Sequence, residues 1–248
     1  ANNDMPARFI YENLTITTNL IHAAYLNNIK KLLFLGSSCI YPKKSIVPIK
    51  EKYLLSGYLE KTNEAYAIAK IAGVKMCEAY NREYRHLKLD YRSIMPCNLY
   101  GPGDNFSPNF GHVIPSLVYK IHKAKKEKRK KIVLWGDGTP KREFLHVDDL
   151  ARGSIFLMNI SKNKFYQSRG NEQLNIGSGK EITIKQLATI IKEILNYKGE
   201  VLFDKKNPNG TMRKVLDITE IKKLGWLPKI SLKKGISELY KYYLNNNV

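Results

Sequence analysis

Apolar residues along the chain recur with two different spacings. In residues 4–27 they return at helical intervals, which predicts an amphipathic helix. The stretch KKLLFLGSS, residues 30–38, is short, largely apolar and closed by glycine and serine, as is typical of a buried parallel strand. Residues 63–85 return to the helical spacing, and DYRSIMP, residues 90–96, is a second strand that stops at a proline. The pattern therefore predicts alternating helices and strands.

The alternation continues towards the C-terminus, although the second half is less regular. Further strands are predicted at 131–135, 173–177 and 201–204, and further helices at 112–126, 147–159, 183–196, 217–224 and 231–243. Strands that alternate with helices predict a parallel sheet in an α/β fold. Pieces rich in glycine and proline beyond about Asn98 indicate a second lobe interwoven with the first.

Charge is the one unusual feature of the composition. The 248 residues include 42 Lys or Arg and 22 Asp or Glu, which gives a formal net charge of +20. The densest basic run is KAKKEKRKK, residues 123–131. This charge suits a polyanionic partner, either nucleic acid or a diphosphate, but it also fits a lysine-rich surface that only faces solvent. The run contains no aromatic residue on which a base could stack. We therefore expect no nucleic-acid partner.

Several other classes of protein are disfavoured by the sequence. No apolar run approaches the roughly eighteen residues that a membrane span needs, and the start ANNDMPARF has no signal-peptide pattern. Cys39, Cys77 and Cys97 lack metal-site spacing and leave one cysteine over, which disfavours a disulfide framework or a metal site. We expect a cytoplasmic protein. The chain opens with Ala1 rather than methionine, so we expect it to be an excerpt of a longer sequence or the product of a truncated gene.

Neither of two common phosphate-binding motifs is complete in the sequence. The sequence from Gly177 to Lys180 is similar to the end of a P-loop, but Glu181 stands where Ser or Thr should hold magnesium. No G-x-G-x-x-G follows a predicted strand and opens a helix. The usual cradle for a dinucleotide is therefore not in this sequence.

The strongest chemical constellation is formed by Ser37, Tyr66 and Lys70. Tyr66 and Lys70 are four residues apart on a predicted helix, so their side chains share one face. An ammonium group there would lower the tyrosine pKa from its usual value of about 10. Ser37 follows a strand, at the end where ligands of open α/β sheets bind. Such a tyrosine can exchange a proton with a substrate oxygen to which Ser37 also hydrogen-bonds.

The stretches LLFLGSSCIYP, TNEAYAIAKIAG, YRSIMPCNLYGPGDNF, HVIPSL and LWGDGTPKREFLHVDDLA give the chain a wider resemblance. In these residues and their order it resembles the GDP-L-fucose synthases, a family of extended short-chain dehydrogenase/reductases, from about Asp4 to Leu244. The resemblance implies an α/β fold: an N-terminally truncated, Rossmann-like parallel sheet with a smaller mixed α/β substrate-binding lobe. Residues 1–110 would hold the Rossmann-like part, and residues 111–248 mainly the lobe, with about 131–160 returning to the first domain.

The resemblance also implies an activity, the NADPH-dependent 3,5-epimerisation and 4-reduction of GDP-4-keto-6-deoxy-D-mannose to GDP-L-fucose. Ser37, Tyr66 and Lys70 would form the reductase triad, and Cys39 and His112 would be the acid–base pair for epimerisation. A hydrogen beside a ketone is acidic enough for a tuned thiolate to remove, and a second group must return a proton. From the residues alone, Cys39 could equally be a small core residue and His112 a helix-terminal residue bonded to backbone.

Binding residues are implied in the same way. For NADP(H) the matching positions are Ser37, Ser38, Tyr66, Lys70, Pro96, Cys97, Asn98, Leu99 and His112. For the GDP-sugar they are Lys120, Trp135, Arg142, Asn209 and Lys214. Cys97 replaces the threonine that is more usual in the family. Asn209 replaces an aspartate, and because a carboxylate is the better acceptor for guanine donors, strict GDP selectivity is in doubt.

Relative to this family, roughly 70 residues precede the region that matches Ala1, and they would carry the glycine-rich turn. We therefore expect this chain alone neither to bind NADPH tightly nor to turn over. Helices 4–27 and 63–85 resemble a pair that makes a four-helix dimer interface, which implies a homodimer. Two rival hypotheses stay open: another nucleotide-sugar epimerase or dehydratase, and a catalytically silent remnant.

Overall fold

The structure is a computed structural model that describes residues 4–108, 111–166, 173–206 and 211–247. It divides into two compact units. The first unit comprises Ala1–Cys97, Ala151–Gly177 and Leu216–Leu227. The second unit comprises Asn98–Leu150, Ser178–Val215 and Pro228–Val248.

Helices and strands alternate through most of the chain. The helices are α1 (Pro6–Leu26), α2 (Glu64–Glu83), α3 (Val113–Lys126), α4 (Val147–Asn159), α5 (Lys162–Tyr166), α6 (Ile184–Ile194), α7 (Thr219–Leu224) and α8 (Leu232–Asn247). The strands are β1 (Lys31–Leu35), β2 (Asp90–Pro96), β3 (Asn98–Tyr100), β4 (Lys131–Trp135), β5 (Lys141–His146), β6 (Gln173–Ile176), β7 (Glu181–Thr183), β8 (Glu200–Asp204) and β9 (Arg213–Lys214). Of the helices in the described ranges, none is long and apolar enough to cross a bilayer.

The first unit is built on a parallel sheet in the order β1-β2-β6. Its central strand β2 is buried along its whole length, as expected for a strand covered on both faces. The helices α1 and α2 pack along each other. Gly73 makes this packing possible, because a Cβ there would lie 2.3 Å from the Phe34 ring and 2.7 Å from the Thr17 methyl. The parallel sheet fixes where the candidate catalytic side chains emerge.

The second unit combines two small sheets. In one, β5 pairs in parallel with β3 and β9 and antiparallel with β7, and in the other β4 pairs in parallel with β8. The helices α3, α6 and α8 cover them around a core that includes Val118, Ile121 and Ile191. A capping box starts α6, in which Thr183 and Gln186 satisfy each other's backbone N–H groups.

The sequence pattern located most of these elements. Strands 90–96 and 131–135 and helix 147–159 are confirmed residue for residue, and the other predicted elements are present with shifted ends. The short α5 and the strands β3, β5, β7 and β9 were not predicted. The strand β5, KREFLH, is a clear example, because its polar residues hide the strand from a search for apolar runs.

The division into units differs from the expected one. Residues 98–110 were expected in the first domain, but Asn98 begins the second unit. The segment expected to return to the first domain, about 131–160, mostly stays in the second unit, because β4 pairs with β8 and β5 with β3. The segments that do return are Ala151–Gly177, which contributes β6 to the parallel sheet, and Leu216–Leu227.

Candidate active site

Ser37 lies just beyond the carboxyl end of β1. The N–H of Gly36 donates to the carbonyl of Ile94 at 2.9 Å, which holds the chain beside β2 for one more residue. Ser37 is extended, and its Oγ accepts a hydrogen bond from the Cys39 N–H at 3.2 Å, which starts a short 3₁₀ turn over Ser38–Ile40. Ser38, the first residue of this turn, is buried. The serine and the cysteine thus share the edge of the sheet at which ligands bind.

Tyr66 and Lys70 reach the same edge from α2. The Lys70 Nζ donates to the carbonyl of Leu35, the last residue of β1, at 3.0 Å. It lies 5.2 Å from the centre of the Phe34 ring and 5.7 Å from that of the Tyr66 ring. Burial lowers the pKa of Lys70 from its ordinary value. The predicted sharing of one helix face is therefore confirmed for this pair.

The pKa of Tyr66 moves in the direction opposite to the prediction. Burial raises it above the ordinary tyrosine value, the negative charge of an ionised Cys39 raises it further, and a hydrogen bond with Ser37 acts in the other direction. The predicted lowering by Lys70 was wrong, because loss of hydration is the largest effect on the pKa of Tyr66 and the Lys70 ammonium already bonds to a backbone carbonyl. Tyr66 is therefore in its protonated, proton-donating form at neutral pH.

Cys39 is half-buried and close enough for its charge to act on Tyr66. The first unit thus brings Ser37, Cys39, Tyr66 and Lys70 together. Cys77 is different: burial raises the pKa of its thiol to about 12, so it stays protonated in the core.

The stretch from Pro96 to Leu99 continues from the carboxyl end of β2, next to β1. Pro96 and Cys97 are buried, and the Cys97 N–H donates to the Ile176 carbonyl at 3.1 Å. Asn98 is exposed and begins β3, where its side-chain amide donates to the Glu143 carbonyl at 2.9 Å. Leu99 is half-buried in the same strand.

His112 belongs to the second unit, where it precedes the first residue of α3. Its ring is exposed, and Nδ1 lies 3.4 Å from an Oδ of Asp104. The hydrogen bond with Asp104 raises the pKa of His112 above its ordinary value. Asp104 was not among the site residues predicted from the sequence, although it lies in the stretch YGPGDNF. Its position eight residues before His112 was the feature that could have indicated a partner for the histidine.

Two of the expected substrate-binding cations lie side by side in the second unit. Arg142 in β5 pairs directly with Lys214 in β9. Burial lowers the pKa of Arg142, whose Nη1 donates to the Lys141 carbonyl at 2.8 Å. Adjacent cations of this kind suit a diphosphate.

The remaining expected contacts with the GDP-sugar are an aromatic residue and a lysine. Trp135 ends β4 with 78% of its surface exposed, which is unusual for an indole and suits stacking on a base or sugar. Lys120 on α3 is exposed and lines a cavity of about 510 Å³ beside β4. Asn209 lies outside the described residues.

Comparison with known proteins decides the family. The model of the NAD dependent epimerase/dehydratase family matches residues 1–177. The chain belongs to this family. It is 51% identical over 248 residues to the GDP-L-fucose synthase of Escherichia coli (strain K12), covering 99% of this chain and 76% of that protein.

Two solved structures agree with the assignment. A GDP-6-OMe-4-keto-L-xylo-heptose reductase from C. jejuni has a TM-score of 0.91 at 37% identity, covering 99% of this chain and 79% of that one. A GDP-L-fucose synthetase from Naegleria fowleri bound to NADP has a TM-score of 0.87 at 27% identity, covering 97% and 74%. The predicted α/β fold with a Rossmann-like parallel sheet is confirmed.

Proposed function

We propose that the protein carries out the NADPH-dependent 3,5-epimerisation and 4-reduction of GDP-4-keto-6-deoxy-D-mannose, which gives GDP-L-fucose. The observation that carries this proposal is the position of Cys39 beside Tyr66, two residues after Ser37. A simple reductase needs only the hydroxyl donors, whereas an epimerase also needs a base for a carbon-bound proton. The 51% identity to a GDP-L-fucose synthase supports the same substrate.

The residues at the sheet edge fit the nicotinamide half of NADP(H). Ser37 and Lys70 offer a hydroxyl and an ammonium donor there, and Pro96 and Cys97 follow the neighbouring strand. When bound, NADPH supplies the hydride. The residues proposed to hold it are Ser37, Ser38, Tyr66, Lys70, Pro96, Cys97, Asn98, Leu99 and His112.

Epimerisation needs a base and an acid. In our proposal the Cys39 thiolate removes the proton from the carbon beside the ketone, first at one of carbons three and five and then at the other. His112 returns a proton to each carbon on the opposite face, and between the two steps water takes the proton from Cys39 and supplies one to His112. The pairing with Asp104 keeps His112 protonated to a higher pH than an isolated histidine, which suits a proton donor.

Reduction needs a proton at the oxygen of carbon four. Tyr66 donates it, and its raised pKa keeps the hydroxyl protonated until that moment. The Ser37 hydroxyl, which hydrogen-bonds to Tyr66, positions the same substrate oxygen. The Lys70 ammonium adds a positive charge at the sheet edge.

We assign the GDP-sugar to Lys120, Trp135, Arg142, Asn209 and Lys214 in the second unit. Arg142 and Lys214 would bind the diphosphate, and Trp135 would cover the base or the sugar. The test is the rate of NADPH oxidation with the GDP-linked ketosugar and with its UDP-linked analogue. The proposal predicts that NADPH is oxidised clearly faster with the GDP-sugar than with the UDP-sugar. NADPH oxidation that depends on neither sugar would reject it.

Apolar side chains on α1 and α2 support a homodimer. Ile16 and Leu20 are 65% and 55% exposed four residues apart on α1, and Ile68 on α2 is 42% exposed. Pairing of the two helices with those of a second copy would cover these side chains. Light scattering should give a dimeric mass that Leu20→Lys lowers to a monomer, whereas Ile46→Lys, at another exposed apolar site, should not change it. A monomeric parent protein would reject the dimer.

A cytoplasmic location is also proposed. It rests on Cys39, Cys77 and Cys97, which form no disulfide in the structure. Cell fractionation would test it, and recovery of the protein outside the cytoplasm would reject it.

A further inference from the structure

A second, strongly basic cavity lies in the second unit and takes none of its lining from the residues assigned to the GDP-sugar. It measures about 490 Å³ and lies between the segment 125–130 at the end of α3 and the turn 196–199 before β8. Its cations are Lys125, Lys128, Arg129, Lys130 and Lys198. We call it the basic cavity. It contains much of the charge run whose purpose the sequence left open.

Hydrogen bonds fix the two walls of the basic cavity against each other. The Tyr197 hydroxyl donates to the Arg129 carbonyl at 2.9 Å, and the Glu200 N–H donates to the Lys130 carbonyl at 2.8 Å. Gly199 permits this approach, because a Cβ there would lie 2.2 Å from the Tyr197 hydroxyl. The backbone that carries the lysines is therefore ordered before any ligand arrives.

The charges on these walls are only partly neutralised. Arg129 pairs with Glu127 at 2.5 Å. Within the described ranges, no carboxylate lies within ion-pair distance of Lys128, Lys130 or Lys198. Three exposed lysines with no carboxylate partner in the described part of the chain thus line one cavity whose backbone is fixed.

His122, on the same helix, lies close enough to two lysines at the end of α3 to be affected by their charge. Burial lowers its pKa, and the charges of Lys126 and Lys125 lower it further. The hydroxyl of Tyr240, 3.0 Å from its Nδ1, carries no charge that would offset them. The lysines at the end of α3 therefore create a positive electrostatic potential that acts on a neighbouring side chain.

We propose that the basic cavity binds the phosphate chain of a small oligophosphate. The volume lies within the range of small-ligand sites, roughly 300–1,000 Å³, and is too small for a folded nucleic acid. Lysine ammonium groups bind phosphate oxygens as mobile point charges, which suits a flexible chain of phosphates. The Tyr197 ring is buried in the wall and its hydroxyl is already bonded, so it offers no stacking face for a base.

The test is calorimetric titration of the intact protein with inorganic tripolyphosphate, with GDP at saturation to occupy the substrate site. We expect binding that weakens about tenfold or more in the variant Lys128→Gln/Lys130→Gln/Lys198→Gln. The matched control, Lys44→Gln/Lys61→Gln/Lys222→Gln, removes the same charge from exposed positions of the first unit and should bind normally. The single variant Lys198→Glu, checked for an unchanged melting temperature, gives a second measurement of the same effect.

Two further measurements, the affinity for ATP and the effect of salt, show which part of the ligand is recognised. Equal affinity for ATP and tripolyphosphate supports recognition of the phosphate chain alone, as does loss of binding at high salt. Competition of tripolyphosphate with GDP, equal weakening in the control variant, or tighter binding of a single-stranded oligonucleotide than of either small ligand would overturn the proposal. Because GDP occupies the substrate site throughout, a failure here leaves the proposed activity untouched.

Discussion

Replacement of Tyr66 by phenylalanine tests the chemistry of reduction. The change removes one hydroxyl, its hydrogen bond with Ser37 and the proton proposed for the oxygen of carbon four. A positioned general acid contributes about 10²- to 10⁴-fold to a rate, which corresponds to about 3–5 kcal/mol of barrier. The lost hydrogen bond costs only about 0.5–1.5 kcal/mol of folding free energy. We therefore expect Tyr66→Phe to lower kcat for NADPH oxidation about 10²- to 10⁴-fold while the protein stays folded.

Tyr91→Phe is the matched control. Tyr91 is also in the first unit, and its hydroxyl donates to the Ile29 carbonyl at 3.0 Å. Tyr91 lies at the start of β2, and the candidate site lies beyond the other end of that strand. The same chemical change at Tyr91 should therefore leave kcat within a few-fold of the parent value. The assay is steady-state NADPH oxidation at several GDP-ketosugar concentrations, with KM expected to change little because the proton is transferred in the transition state. A Tyr66→Phe enzyme with nearly normal kcat would refute the assignment.

The pKa of Tyr66 gives this prediction a pH dependence. Because burial raises that pKa in the folded protein, the protonated donor persists through neutral pH and is lost only above the ordinary tyrosine range. The same shift stabilises the fold while the hydroxyl is protonated, and this contribution is lost as the pH rises from the unfolded to the folded pKa. Reduction by the parent protein should therefore not decline between pH 7 and the ordinary tyrosine range through this group.

Four further predictions follow from the same contacts. Cys39→Ser should slow solvent-deuterium exchange beside the ketone by about 10²-fold or more, since a serine is a far weaker base than a thiolate; exchange at the parent rate, measured by mass spectrometry, would remove Cys39 as the base. Asp104→Asn should lower the pKa of His112, so the fall of epimerisation at high pH should move to lower pH, and an unmoved profile would contradict their pairing. Asn175→Ala should cost about 2–4 kcal/mol in urea unfolding, because this fully buried amide bonds the Tyr41 hydroxyl at 2.6 Å and two backbone carbonyls. Gly73→Ala should cost about 1–2 kcal/mol in the same assay, because overpacking outweighs the gain in helix propensity; a stabilised variant would contradict the tight helix packing.

Local pattern predicted the elements that carry the reductase residues. A strand that ends in Gly-Ser-Ser and a Tyr and a Lys four apart on a helix were visible in the sequence, and the structure places Ser37, Tyr66 and Lys70 at one edge. The sign of the Tyr66 pKa shift could not be predicted in this way. It depends on how much water the fold removes from the hydroxyl, which helical spacing does not determine.

Long-range pairing limited the prediction elsewhere. The strand β5 was missed because its polar side chains find partners from distant segments, as Glu143 does by accepting the Gly179 N–H at 2.6 Å. Arg92 is fully buried in β2, where its guanidinium donates to the distant carbonyls of Leu157 and Ile160 as well as to the nearby Asp90. The contact between Asp104 and His112 spans a loop rich in glycine and proline, and the conformation of such a loop is not determined by a repeating pattern.

The central claim is that one site both epimerises and reduces a GDP-ketosugar, and the product made in heavy water tests it most directly. The full-length protein would be incubated with GDP-4-keto-6-deoxy-D-mannose and NADPH in D₂O, and the product would be examined by NMR spectroscopy. We expect GDP-L-fucose with deuterium at carbons three and five and one NADPH oxidised per sugar. A reduced sugar that keeps the original configuration and hydrogen at both carbons would show that the protein is a reductase only, and would contradict the roles of Cys39 and His112.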